Sequence, residues 1–100
     1  MNIVEIIEND KITVRISGEI DGSNVNEVET TLKASSEKSS NLVIDLKELE
    51  YISSAGLRVF LIIRKLTESA GHKMILKNVT EDVMEIFTVT GFVNLLTIEA

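Results

Sequence analysis

The chain has no cysteine, no proline and no tryptophan, and it carries one histidine, His72, and one tyrosine, Tyr51. Without cysteine there is no disulfide framework, zinc knuckle, iron–sulfur ligand set or thiol nucleophile. Without proline no helix is forced to kink. Basic residues are in deficit, 10 against 16 acidic, and the net charge of −6 repels nucleic acid phosphates and anionic lipid headgroups. Long apolar runs are missing too: Val59 to Ile63 is the longest, far short of the ~20 residues that span a bilayer. The opening residues, with Glu5, Glu8 and Asp10, lack the basic start of a secretion signal. These absences predict a cytoplasmic protein with no membrane insertion, no direct nucleic acid partner, no metal and no cofactor.

Hydrophobic residues make up 44% of the 100 positions, enough for one core of ordinary domain size, and residues 1–100 are read as a single domain. Ile3 to Ile7 and Ile12 to Ile16 are β-rich runs joined by Asn9-Asp10, a turn pair, and so predict an N-terminal hairpin ending at Gly18. Val25, Val28 and Leu32 recur at helical spacing after Ser23 or Asn24 as N-cap. The serine-rich stretch from Ser35 to Ser40 reads as the loop that ends this helix. Asn41 to Leu46, short and almost continuously apolar, predicts a central strand covered on both faces. A long helix from about Ser54 to Ala70, a strand from Met74 to Val79, a third helix between Thr80 and Gly91 and a last edge strand within Leu95 to Ile98 complete the pattern. The fold class is α/β: a small mixed sheet with a hairpin and a βαβ unit, helices packed against it.

Ligands and chemistry in such sheets collect beyond the carboxyl ends of the strands, at helix N-termini. Two loops qualify, Gly18 to Ser23 and Glu50 to Gly56. In the second, two serines and a glycine open the longest helix, although glycine inside a helix costs about 1 kcal/mol relative to alanine; something must approach Gly56 closely. On a helical wheel Val59, Ile62, Ile63, Leu66 and Ala70 form the sheet-facing arc, with Phe60 at its margin. Leu57 and Leu61 fall in the charged arc, in line with Ser54, and predict a small exposed apolar patch, the mark of a partner surface.

Tyr51-Ile52-Ser53-Ser54-Ala55-Gly56-Leu57 resembles the phosphoacceptor loop of STAS domains, the family named for sulfate transporters and anti-sigma factor antagonists. Gly18-Glu19-Ile20-Asp21, the Asn41 to Leu46 strand and the Phe87 to Phe92 segment resemble further stretches of the same family in the same order. The resemblance implies a single STAS-type domain acting as an anti-sigma factor antagonist. It implies that Ser54 is the phosphorylated serine, Gly56 the glycine of the motif and Asp21 the acidic residue beside it. Many members place aspartate directly before the acceptor; here Ser53 stands there, which leaves Ser53 as the alternative acceptor. Asp21, Ser53, Ala55, Gly56, Leu57, Arg58 and Leu61 are the expected loop and partner surface. The implied partners are an anti-sigma factor with serine kinase activity and a serine phosphatase.

Three other readings compete. A serine hydrolase would need a base near Ser54, but His72 lies about 25 Å away along the helix at 1.5 Å per residue; no catalytic residue is assigned. A nucleotide-binding module would use the helix N-terminus, but Ser-Ser-Ala-Gly lacks the lysine and the glycine density of a phosphate-binding loop. A STAS-type scaffold or subunit in a larger signalling or lipid-transport assembly is the alternative within the family.

Overall fold

The computed structural model describes residues 1–99; Ala100, the last residue of the expected domain, lies outside the described residues. Two antiparallel strands, β1 (Asn2–Ile7) and β2 (Ile12–Ile20), form the predicted hairpin. Helix α1 (Val25–Lys38) follows, then β3 (Asn41–Asp45), β4 (Leu49–Ile52), helix α2 (Ser54–Ser69), β5 (Lys73–Lys77), helix α3 (Glu81–Thr90), a 3₁₀ turn at Phe92–Asn94 and β6 (Ile98–Glu99). The sheet runs β1-β2-β3-β5-β6, with β4 also paired to β2. Only the hairpin is antiparallel; β2–β3, β2–β4, β3–β5 and β5–β6 are parallel. Helices α1 and α2 pack on each other and on β2, β3 and β5, while α3 packs on β4 and the 3₁₀ turn. Among the described residues no helix is long and apolar enough to cross a membrane.

The period-2 pattern of β2 buries Ile12, Val14 and Ile16 against the helices and turns Thr13 and Arg15 the other way. In β3 the residues Leu42 to Asp45 are all buried, as the apolar run predicted. Phe60 and Phe87 are the largest side chains removed completely from solvent, each such burial contributing about 1.5–3 kcal/mol.

Five boundaries differ from the sequence reading. Strand β5 ends at Lys77 rather than Val79, because Asn78 takes a positive φ of 57° that no strand continues through. Strand β2 does not stop at Gly18 but continues to Ile20, because Gly18, at φ 90°, absorbs an irregularity in register beside Glu19 and lets pairing resume with β4. Strand β4, Leu49–Ile52, occupies the start of the segment that the sequence predicts as the Glu50 to Gly56 loop. Ser35 and Ser36 are not loop residues: α1 runs through them to Lys38 and buries both. Their hydroxyls are satisfied, Ser36 Oγ by Lys33 O at 2.7 Å and Ser35 Oγ by the Glu5 carboxylate at 2.5 Å. Last, the edge strand β6 begins at Ile98 rather than at Leu95.

Two polar ties hold this frame. The hydrogen bond from Ser35, followed by that from Lys38 Nζ at 3.0 Å, keeps the Glu5 carboxyl below its ordinary pKa and fastens β1 to the end of α1. Asp45, at the end of β3, accepts from Arg15 Nε at 3.2 Å, Asn78 Nδ2 at 3.0 Å and the Lys47 N–H at 3.0 Å. Burial pushes the Asp45 carboxyl up, but the bonds from Asn78, Lys47 and Arg15 outweigh it and hold the group below its usual value.

Because the folded-state pKa of Asp45 lies under the unfolded value of about 3.9, its contribution is complete above that value and disappears as pH falls through the lower folded value. Asp45→Asn is expected to cost roughly 1–3 kcal/mol at neutral pH and to flatten the loss of stability in acid. Urea unfolding at pH 7 and pH 3 measures both; an unchanged acid slope would remove Asp45 from the acid response.

Candidate functional site

The two loops singled out in the sequence meet at the end of one parallel ladder. Glu19 pairs with Tyr51 and Ile20 with Ile52, so Asp21 and Ser53 leave the sheet side by side. The Ser53 N–H donates to Ile20 O at 2.9 Å, extending the pairing by one bond into the loop.

On the β2 side, the chain folds around Asp21. Its Oδ1 accepts from the Ser23 hydroxyl at 2.6 Å and the Ser23 N–H at 2.9 Å. These bonds, the hydroxyl first, lower the Asp21 pKa and keep the carboxylate ionised at neutral pH. Asn24 stands at the N-cap position of α1 without capping it by its side chain. It closes the loop instead: Oδ1 accepts from the Asp21 N–H at 3.0 Å, and Nδ2 donates to Glu19 O at 2.8 Å. Asp21 is therefore engaged within its own loop and, among the described residues, bonds neither Ser53 nor Ser54.

On the β4 side the two serines take different tasks. Ser53 is the N-cap of α2, extended at φ −80° and ψ 169°, and its Oγ accepts from the Gly56 N–H at 3.2 Å. Ser54 is the first helical residue; it is exposed, and its hydroxyl makes no hydrogen bond among the described residues. The N–H groups of Ser54 and Ala55, in the first turn, have no intrahelical acceptor. Gly56 explains its own presence: a Cβ there would lie 2.7 Å from Ile52 Cγ1 and 2.8 Å from Ile20 Cγ2. The close approach expected at this glycine comes from the protein's own core, from the same two isoleucines that end the β2–β4 ladder.

A model of the STAS domain matches residues 3–100. The chain belongs to the STAS family. Within that family it is 33% identical, over a 102-residue alignment that covers 100% of this chain and 94% of the relative, to the anti-sigma-B factor antagonist of Bacillus subtilis (strain 168). The fold matches the anti-sigma factor antagonist SpoIIAA in its unphosphorylated form with a TM-score of 0.80 at 16% identity, covering 99% of this chain and 89% of that one. It also matches the Bacillus cell fate determinant SpoIIAA in the phosphorylated form, with a TM-score of 0.74 at 15% identity and coverage of 99% and 92%.

In this STAS domain the face around Ser54 differs from the helical-wheel expectation. Leu57 is only 1% exposed and belongs to the core, whereas Ile62 and Leu66, expected on the sheet, are 39% and 43% exposed. Leu61 is half-buried, and Arg58 and Lys65 are exposed. The buried arc is rotated toward Leu57 and Thr67. Seating Gly56 on Ile20 and Ile52 turns the neighbouring Leu57 inward. Thr67, a polar residue, can occupy the buried side because its hydroxyl donates to Arg64 O at 2.8 Å. The exposed large apolar residues of α2 are thus Ile62 and Leu66, with half-buried Leu61 beside them. Tyr51, the first residue of the motif, is exposed two residues before Ser53.

Gly56→Ala gains about 1 kcal/mol of helix propensity but forces a methyl into branched side chains close to their attachment points, an overpacking cost of typically 1–3 kcal/mol. The variant is expected to be less stable by urea unfolding, with amide chemical shifts displaced at Ser53 and Ser54; a more stable variant would show that the seat is loose.

Proposed function

We propose that the protein is an anti-sigma factor antagonist switched by phosphorylation of Ser54. The unphosphorylated chain binds an anti-sigma factor that is also a serine kinase, and so frees the sigma factor. Phosphorylation ends the binding, and a serine phosphatase restores it. The chain is a substrate and a binding surface in this scheme, not an enzyme. The observation that carries the reading is the division of labour between the serines: Ser53 Oγ is committed to the Gly56 N–H, and Ser54 Oγ is free and exposed. Sequence homology to the Bacillus antagonist supports the partner class, and the phosphorylated state in which SpoIIAA is known supports the form of the switch.

A phosphate on Ser54 adds about −1.5 to −2 charges. It arrives where the N–H groups of the first turn and the positive end of the α2 dipole favour it, so the fold tolerates it. The penalty falls on the complex. Burying the dianion against a partner costs several kcal/mol unless a cation answers it, and ~4 kcal/mol is a thousandfold in affinity. The ionised Asp21, fixed at the end of the adjacent strand, adds negative charge to the same rim.

Kinase assays with the anti-sigma factors of the same genome, read by mass spectrometry of the peptide holding both serines, are expected to place phosphate on Ser54. Ser53→Ala remains a substrate while losing roughly 1 kcal/mol of stability with its cap. In calorimetric titration Ser54→Ala binds as tightly as the unmodified chain, and Ser54→Asp binds at least tenfold more weakly. Equal affinity of these two variants, or phosphate on Ser53 alone, would overturn the assignment.

A further inference from the structure

Strand β1 closes one side of the sheet and leaves its outer edge open. All six of its residues pair with β2 in unbroken register from Asn2↔Ser17 to Ile7↔Ile12, and among the described residues no strand lies beyond it. Exposed sheet edges are usually blunted by lysine, proline, a bulge or a covering loop. Strand β1 has none of these, and it shows Val4 at 42%, Ile6 at 36% and Ile7 at 65% exposure. Its single charge, Glu5, accepts from Ser35 and Lys38 of α1.

From this edge we infer that the protein self-associates as a two-fold dimer in which β1 pairs antiparallel with β1 of a second copy, centred on Glu5. The occupant follows from the residues. Read in either direction, Ile3-Val4-Glu5-Ile6-Ile7 is apolar, apolar, acidic, apolar, apolar. Residues opposite each other in an antiparallel pair share a face of the sheet. Centred on Glu5, the pairing sets Val4 against the second copy's Ile6 on one face and Ile3 against its Ile7 on the other. A shift of two residues sets Val4 against Glu8, or Ile6 against Asn2, and loses apolar pairs. A shift of one sends every side chain to the wrong face. The charges also match. The two Glu5 carboxylates meet at the axis, each with a Lys38 ammonium already 3.0 Å away, so the centre holds two anions between two cations. A second copy meets these requirements by symmetry, because a two-fold contact uses the same patch twice. The contact uses no residue of α2.

One strand pair spans only about 20 Å and buries less than the ~800 Å² per partner of a standard interface, so the dimer is expected to be reversible. Sedimentation equilibrium of the full chain, from micromolar to about millimolar concentrations, is expected to show the mass rising from 11.1 kDa toward twice that value. Val4→Lys and Ile6→Lys each weaken association at least tenfold, and far-UV circular dichroism of the two variants shows whether each keeps the fold. Because the chain has no cysteine, the register has its own test. Val4→Cys mixed with Ile6→Cys is expected to form the mixed disulfide at least tenfold faster than either variant forms its own. A monomer across the whole range, a dimer indifferent to both lysine variants, or a mixture that crosslinks no faster than its components would each overturn the inference.

Discussion

The close contact of Gly56 with Ile20 and Ile52 is the constraint on which the rest of the site depends. Those isoleucines are the last paired residues of β2 and β4, and a single methyl on Gly56 would collide with both. The contact sets how low α2 sits on the sheet, and with it the rotation of the helix. Leu57 then turns into the core, Ser54 turns out, and Ser53 falls where its hydroxyl can reach the Gly56 N–H. Propensity alone would favour alanine at this position by about 1 kcal/mol; close packing decides otherwise, because an interior at crystal-like density has no slack for an added methyl.

The same contact explains why two adjacent serines differ in chemistry. An N-cap hydroxyl that accepts from the backbone is held in one rotamer and is unavailable without breaking the cap, whereas the next residue starts the helix and faces solvent. The aspartate that many STAS proteins carry before the acceptor could accept from the same N–H groups, since aspartate and serine are both strong N-caps. Ser53 in that position preserves the cap and removes one negative charge beside Ser54, leaving Asp21 as the ionised group of the adjacent loop.

Much of the fold was legible because it rests on periodicity. The alternation in Ile12 to Ile16 and the continuous apolar run of Asn41 to Leu46 correspond to strands with one and two covered faces. What could not be read depended on partners distant in the chain. Leu49 to Ile52 shows too little pattern in four residues to announce a strand; it becomes one because Gly18, with positive φ, lets β2 change partners. Ser35 and Ser36 look like loop residues until Glu5, thirty positions away, and the Lys33 carbonyl satisfy their hydroxyls. The motif around Ser54 was legible as a whole, but the facing of Leu57, Ile62 and Leu66 was not, since a helical wheel cannot show that Gly56 seats the helix on Ile20 and Ile52.

A surface built this way constrains how a covalent charge can be read. The loop holding Asp21 is closed by bonds to Ser23 and Asn24, and the loop holding Ser54 is tied to Ile20 through the Ser53 N–H. A negative charge placed at the start of α2 would be favoured by the positive end of the helix dipole. A ligand or modification changes shape only to the extent that it favours one state over another, and the bonds within these loops favour the arrangement seen. Under the proposed switch the information would pass as charge and hydration on a fixed surface. That kind of signal requires a partner whose complementary face is dry and close around one residue, and it demands little of the switch protein beyond rigidity.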